Sequence, residues 1–178
     1  MWCVVKTEEP VERTAEIFIK SILPPEIYTR CVAPQGEFLV KRHGKLFLSR
    51  RTLYPHFVLI RTEEPDEVFR ILKDSERFLL LIKDDFMTGI SEAEGRILDV
   101  ICEHDDLVEL SLVKKTKDEA GRSRANFISG PLTKVAGHVK SVDFTKRKAY
   151  LQEGLQMYFL FEGESREDLV EDEEYWKY

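Results

Sequence analysis

Apolar and polar positions in the first half of the chain predict short strands joined by amphipathic helices. Residues 2–6 are apolar and partly β-branched, which predicts a buried strand. An amphipathic helix follows, because apolar side chains recur three or four residues apart. Its inward-facing positions are Val11, Ala15, Phe18, Ile19 and Ile22.

The pattern then favours an antiparallel sheet. Further strands are predicted over 28–34, 38–42, 46–50, 54–62 and 78–83, and a further helix over 65–74. His43-Gly44 suits the turn of a hairpin. Ser91 and Glu94 have the spacing of a capping box, which predicts the start of another helix. Helices and strands mixed around a hairpin predict an α+β fold.

The second half of the chain reads as short strands only. Residues 114–124 are polar and charged without an apolar period, so they are expected to be a linker. Beyond it, Val139 and Val142 precede a polar turn over 143–146, and Ala149 and Leu151 follow that turn at period two. Because the two valines are three residues apart, they can face one core only across a β-bulge. Lys148, Tyr150 and Gln152 then form the opposite, basic and aromatic face.

Charge is distributed unevenly along the 178 residues, whose net charge is −6. Residues 114–152 contain ten Lys and Arg against three acids, a net charge of +7. Residues 162–178 contain eight acids against two cations. The basic stretch favours a polyanionic partner such as nucleic acid. A solvated linker followed by a solubilising acidic tail is the alternative interpretation.

Several classes of protein are disfavoured by what the sequence contains. No apolar run reaches the roughly 18 residues of a membrane span, and residues 1–6 do not resemble a signal peptide. Cys3, Cys31 and Cys102 are far apart, which predicts buried thiols in a reducing cytoplasm. No phosphate-binding loop, dinucleotide fingerprint or metal-ligand spacing occurs, so no cofactor and no enzyme is predicted. A nucleophile formed by Cys31 with His43 or His56 is the one catalytic pairing left open.

The segment around residues 130–151 resembles the KOW motif, a small SH3-like β-barrel that binds nucleic acids or proteins. The matching residues are Gly130-Pro131-Leu132, Gly137-x-Val139, Val142-Asp143 and Lys146-Arg147-x-Ala149. This motif occurs at the C-terminal end of NusG-type transcription factors and in ribosomal proteins.

The first half resembles the N-terminal domain of the NusG family, which opens on a Trp-containing strand and an amphipathic helix. The family's Val-x-Pro is matched by Val32-Ala33-Pro34, and its aromatic-Pro-Gly-Tyr-Val strand by residues 54–58, with His56 where glycine is usual. The Gly-Pro-Leu and Lys-Arg-x-Ala elements look most like the LoaP group of processive antiterminators. The resemblance implies an N-terminal antiparallel sandwich with helices over 1–113, a linker over 114–124 and a KOW barrel with an acidic tail over 125–178.

This resemblance also implies partners and sites for a cytoplasmic, monomeric elongation or antitermination factor. RNA polymerase, through its clamp helices, is expected to bind Tyr54 and Phe57. Upstream DNA is expected to contact the hairpin cations without sequence preference, at Lys41, Arg42, Lys45, Arg50 and Arg51. A nascent RNA hairpin is expected to bind the barrel at Arg122, Arg124, Lys134, Lys140, Phe144, Lys146, Arg147, Lys148 and Tyr150.

Two other functions of the same family remain open from the sequence. The N-terminal domain could read exposed non-template DNA, as in the relative RfaH, and the basic hairpin favours that alternative. The barrel could instead bind ribosomal or termination proteins, as in a general NusG adaptor. The positive charge of residues 114–152 favours RNA over that last alternative.

Overall fold

The computed structural model describes residues 1–7, 11–75, 82–102 and 107–172, without the side chains of 82–86 and 153. Its strands are β1 (Trp2–Thr7), β2 (Arg30–Val32), β3 (Gln35–Arg42), β4 (Lys45–Thr52), β5 (Phe57–Arg61), β6 (Ile82–Gly89), β7 (Leu107–Val108), β8 (Ser111–Lys117), β9 (Ser123–Ser129), β10 (Val139–Asp143), β11 (Lys148–Leu151), β12 (Gln156–Phe161) and β13 (Val170–Glu171). Its helices are α1 (Glu12–Ile22), α2 (Pro65–Lys73), α3 (Glu92–Ile101) and the short α4 (Pro131–Lys134). The predicted α+β class is confirmed, whereas the finer family architecture stays a prediction.

The chain divides into two compact units, and neither is continuous in sequence. The first unit consists of Met1–Gln35 with Thr52–Arg96, and the second of Gly36–Arg51 with Ile97–Tyr178. The β3–β4 hairpin therefore belongs to the same unit as the C-terminal half. This division differs from the expected boundary at residue 113, because the hairpin's partners lie more than a hundred residues further along the chain.

The first unit is built on a four-stranded sheet in the order β2-β5-β1-β6. Its described pairs are antiparallel, as predicted. Ala15 and Ile19 of α1 are fully buried in one core with Val58 and Ile60 of β5, which accounts for the helical spacing of apolar residues. Burying a valine or isoleucine side chain stabilises the fold by about 1.5–3 kcal/mol. The strand predicted over 78–83 lies mostly outside the described residues.

A buried acid in α1 was not anticipated. Glu16 is only 1% exposed, and its Oε2 accepts a hydrogen bond from the backbone N–H of Ala33 at 3.0 Å. Lys20 and Arg13 donate to the same carboxylate at 2.6 and 2.9 Å. Because the carboxylate is paired on every side, its burial is tolerated and ties the helix to the chain that follows β2.

The second unit contains two sheets. The strand order is β10-β11-β12-β8-β9 in one and β13-β4-β3-β7 in the other. Of the pairs in this unit whose register the structure describes, β12 with β8 and β13 with β4 are parallel, so the chain makes long-range returns. Leu39, Tyr158 and Leu160 form a shared core with half-buried Phe38 and Leu112.

The predicted linker over 114–124 is wrong, because these residues form a β-hairpin. Strands β8 and β9 are antiparallel, with pairs that run from Leu112 opposite Ser129 to Lys117 opposite Ser123. Asp118 organises the turn by accepting hydrogen bonds from the backbone N–H groups of Ala120 and Arg122, at 3.0 and 2.9 Å. Most side chains from Lys114 onward are exposed, so the ribbon has no apolar alternation by which the sequence could reveal it.

Gly130 forms the junction between β9 and the short helix α4. Its φ is +85°, and a Cβ at this position would lie 2.7 Å from the Cα of Ser111. Only glycine fits both the backbone conformation and the close approach. The following residue pair is anchored by the Ser111 hydroxyl, which accepts a hydrogen bond from the backbone N–H of buried Leu132 at 3.0 Å.

Candidate nucleic-acid-binding groove

A groove of about 710 Å³ lies between the β3–β4 hairpin and the β10–β11 hairpin, within the second unit. Its lining includes five cationic and three aromatic side chains and, among the described residues, no acid. The cations are Lys41, Arg51, Lys146, Arg147 and Lys148, and the aromatic residues are Phe144, Tyr158 and Phe161. Leu39, Val40 and Leu46 add apolar surface from the other hairpin. The groove therefore combines positive charge with flat apolar surface.

The β10–β11 hairpin has the geometry that presents these cations. Asp143 Oδ1 accepts hydrogen bonds from the backbone N–H groups of Thr145 and Lys146, both at 2.9 Å, which fixes the turn. Arg147 has a φ of +57° and directs the chain into β11. The predicted bulge is confirmed, since the register shifts between Val139 and Ser141.

The alternation along β11 follows the prediction. Ala149 and Leu151 are buried, whereas Lys148 and Tyr150 are half-buried on the opposite face. Lys148 Nζ donates to Gln156 Oε1 at 3.2 Å on the neighbouring strand. Because Ala149 and Leu151 face the core, Lys148 and Tyr150 lie on the opposite face of the strand.

Two layers of aromatic rings and cations connect the groove to the core. In the first, Arg51 lies 4.6 Å above the ring of Phe38, whose centroid is 5.1 Å from that of Tyr158. Lys148 Nζ lies 4.8 Å from the Tyr158 centroid on β12. Cations over aromatic faces gain about 0.5–2 kcal/mol each, so this layer restricts Arg51 and Lys148 to the groove.

The second layer restricts Arg147. Its guanidinium lies 4.6 Å above the ring of Phe161 and forms a two-pronged ion pair with Glu164, with Nη2 to Oε1 at 2.8 Å. The hydrogen bond from Arg147 holds the pKa of Glu164 below its ordinary value. The rings of Phe144 and Phe161 are nearly parallel, with their centroids 6.5 Å apart. Lys115 Nζ lies 5.0 Å from the centroid of the Phe144 ring.

The residues expected to bind RNA are only partly brought together. Phe144, Lys146, Arg147 and Lys148 line the groove. The remaining members, Arg122, Arg124, Lys134, Lys140 and Tyr150, are not among its lining residues. Arg122 and Arg124 instead pair with Asp118 at 3.1 and 3.3 Å, with their own side chains 77% and 68% exposed. The hydrogen bond from the Arg122 backbone leads the contacts that keep the pKa of Asp118 below its ordinary value.

The hairpin cations expected to contact DNA divide into two groups. Lys41 and Arg51 line the groove, and Lys45 is exposed on the same hairpin. Arg42 pairs with Asp172 at 3.2 Å, and Arg50 pairs with Glu37 at 3.4 Å. Both carboxylates are buried, so these two arginines have a structural partner in the folded chain.

The residues expected to bind RNA polymerase lie in the first unit. Tyr54 and Phe57 are half-buried, and the backbone N–H of Phe57 donates to the carbonyl of Tyr54 at 3.2 Å. His56, which stands where the resemblance to the NusG family predicts a glycine, has a φ of +71°. Its backbone N–H donates to Glu12 Oε1 at 2.7 Å, which supports a left-handed conformation that non-glycine residues rarely adopt.

Sequence reasoning missed three classes of residue around the groove. Tyr158 and Phe161 lie on a strand that reads as ordinary core, and Leu39 and Leu46 lie on the other hairpin. Of the buried acids, Glu37 was not singled out and Asp172 was counted with the acidic tail. An isolated acid inside an apolar strand, as in Gln35–Val40, was the one signal that could have identified Glu37.

Neither the comparison with models of protein families nor that with curated proteins finds a match to this chain. The three cysteines are buried and none forms a disulfide, and burial raises the pKa of the Cys3 thiol. Over the parts of the chain that the structure describes, no helix is long and apolar enough to cross a bilayer. Within the same ranges, no cluster of three or more His, Cys, Asp or Glu could hold a metal ion.

Proposed function

We propose that the protein is a NusG-type transcription elongation or antitermination factor whose second unit binds nascent RNA. The observation that carries this proposal is the groove lined by five cationic and three aromatic residues without a described acid. Phosphates pair with the cations, and bases can lie against apolar and aromatic surface. The sequence resemblance to the KOW motif supplies the transcriptional context.

The RNA-binding proposal is tested with the full chain carrying Lys146→Glu and Lys148→Glu. Binding to an RNA hairpin with an unpaired loop is measured by fluorescence anisotropy across salt concentrations. If about four cations contact phosphate, the wild-type log–log salt slope is about −3 to −4, and the double variant loses binding.

A variant carrying Lys73→Glu and Lys117→Glu is the matched control, because it makes the same charge change at exposed positions outside the groove lining. Equal loss in both double variants would show a response to net charge alone. RNA affinity unchanged by Lys146→Glu with Lys148→Glu would contradict the proposal.

We further propose that the first unit binds RNA polymerase through Tyr54 and Phe57. Both are half-buried beside the turn that precedes β5, so part of each ring is available to a partner helix. A central aromatic anchor in such an interface typically contributes about 2 kcal/mol, which corresponds to a roughly thirty-fold change in affinity.

Tyr54→Ala is therefore expected to weaken polymerase binding by about thirty-fold and to leave the melting temperature nearly unchanged. Tyr54→Phe is the control, since it keeps the ring. A large loss of stability with intact polymerase binding would assign Tyr54 to the core instead.

A further inference from the structure

We propose that the groove binds one unpaired segment of RNA that contacts both hairpins at once. On this view Lys41 and Arg51 belong to the RNA site and not to a separate DNA site. The inference rests on the proposed function and specifies which form of RNA is bound and by which residues.

The placement of the cations carries the first step. Lys41 and Arg51 come from the β3–β4 hairpin and Lys146 and Lys148 from the β10–β11 hairpin, yet all four line one groove. A strand of RNA carries one negative charge per nucleotide, so cations on both walls favour a backbone that lies along the groove between them.

The apolar residues carry the second step. Half-buried Val40 and Leu46 on one side and half-buried Phe144 and Phe161 on the other add surface that phosphates do not use. Paired bases are stacked within a helix and cannot reach such a surface, whereas unpaired bases can turn out and lie against it. The volume of about 710 Å³ falls in the range of small-molecule pockets, roughly 300–1,000 Å³, which suits individual nucleotides and not a duplex.

Preorganisation carries the third step. Arg51 and Lys148 are held over Phe38 and Tyr158, at 4.6 and 4.8 Å from the ring centroids. Side chains already restricted in this way lose less conformational entropy when a ligand binds. Lys146 is 66% exposed and lies 3.9 Å from Asp143, so it remains accessible to a phosphate.

The test compares three probes with the full chain. They are an RNA hairpin with an unpaired loop, the same stem as a blunt RNA duplex, and a single-stranded DNA with the loop sequence. We expect the looped RNA to bind at least ten-fold more tightly than the duplex. Tighter binding of the DNA than of the looped RNA would assign the groove to an exposed DNA strand and overturn the assignment to RNA.

The variants then separate the groove from the general charge of the hairpin. Lys41→Glu should weaken binding of the looped RNA about ten-fold, because Lys41 lines the groove. Lys45→Glu makes the same change on the same hairpin at an exposed residue outside the lining, and should cost no more than about two- to three-fold. Equal losses in the two variants would overturn the inference.

A structural readout complements the affinities. A photoreactive 4-thiouridine in the loop should cross-link to peptides from both hairpins in the wild-type protein. Lys41→Met, which keeps the aliphatic stem, provides a second variant if Lys41→Glu lowers the melting temperature. Cross-links confined to residues 139–151 would leave RNA binding by the β10–β11 hairpin intact and refute the shared groove, whereas no binding of any RNA would refute the proposed function itself.

Discussion

The β3–β4 and β10–β11 hairpins are both basic, but they use their arginines differently. In the first, Arg50 faces Glu37, which is completely buried, and Arg42 faces Asp172, whose side chain is 4% exposed. In the second, Arg147 faces Glu164, whose side chain is 38% exposed. Both hairpins keep exposed lysines, Lys41 and Lys45 on one and Lys146 on the other.

The comparison shows that the burial of the carboxylate determines how much an ion pair matters. A buried acid that loses its cation is left charged in a medium of low dielectric, which is costly. A half-exposed acid that loses its cation is solvated by water, and the pair contributes little. On this basis Arg42 and Arg50 of the β3–β4 hairpin serve stability, whereas Arg51 and the lysines of both hairpins remain for binding.

The largest effect is expected for Glu37→Ala. Glu37 accepts hydrogen bonds from Arg50 and Arg166 and from the backbone N–H of Leu110, at 3.1 Å for the last. Its removal leaves the backbone N–H of Leu110 without its acceptor, and leaves Arg50 and Arg166 with their longer contacts to Glu171 and Glu109, each at 3.8 Å. Because three hydrogen bonds to one buried carboxylate are lost together, chemical denaturation should show a loss of about 3–5 kcal/mol in the free energy of unfolding.

Glu162→Ala is the control for this experiment, because Glu162 pairs with Lys114 while its side chain is 51% exposed. It should change the free energy of unfolding by less than about 1 kcal/mol. Similar losses for the two variants would contradict the conclusion that the burial of the carboxylate determines how much an ion pair contributes to stability.

An intermediate effect is expected for Arg42→Met. This substitution leaves buried Asp172 without its guanidinium partner at 3.2 Å, so the free energy of unfolding should fall by about 1–3 kcal/mol. Lys41→Met changes the neighbouring exposed residue and should stay within about 0.5 kcal/mol of wild type. If the two variants unfold alike, Arg42 is not a structural residue.

The smallest effect concerns pH at the second hairpin. The hydrogen bond from Arg147 keeps the pKa of Glu164 below its ordinary value of 4.5. Because the folded state favours the carboxylate, its contribution to stability is present above about pH 4.5 and is lost as pH falls through the lower folded pKa.

Arg147→Met should raise the pKa of Glu164 toward its ordinary value and flatten this acid dependence. NMR titration of the Glu164 side-chain carboxyl measures the shift directly. Lys146→Met, which lies outside the ion pair, should leave it unchanged. If the pKa of Glu164 is the same in Arg147→Met and in the wild type, the ion pair with Arg147 is not what lowers it, and the prediction is contradicted.

Local patterns were predictable from the sequence where one face of an element is buried. Helix α1, the β3–β4 hairpin around His43-Gly44 and the β10 bulge all follow from apolar spacing or turn chemistry. The β8–β9 hairpin was not, because residues 114–124 are mostly polar or charged and mostly exposed, so this part of the ribbon carries no apolar alternation. Its polar sequence was therefore mistaken for a linker.

The groove could be predicted only in part for a different reason. The cations of both hairpins were identified from the sequence, but they were assigned to separate partners. What joins them is the long-range packing of β3–β4 with the C-terminal half, including the parallel pairing of β13 with β4. Pairing between strands so far apart in sequence leaves no local signal in either one.

The same discontinuity has a consequence for synthesis on the ribosome. Glu37 and Arg166 are separated by 129 residues, so the hairpin must wait for its partner to be made. At about 5–20 residues per second this interval is roughly 6–26 s. During that time Leu39 and Phe38 lack the Tyr158 side of their core. The nascent chain thus exposes the apolar face of the β3–β4 hairpin, which a chaperone, or an unrelated strand edge, can capture before the second unit closes.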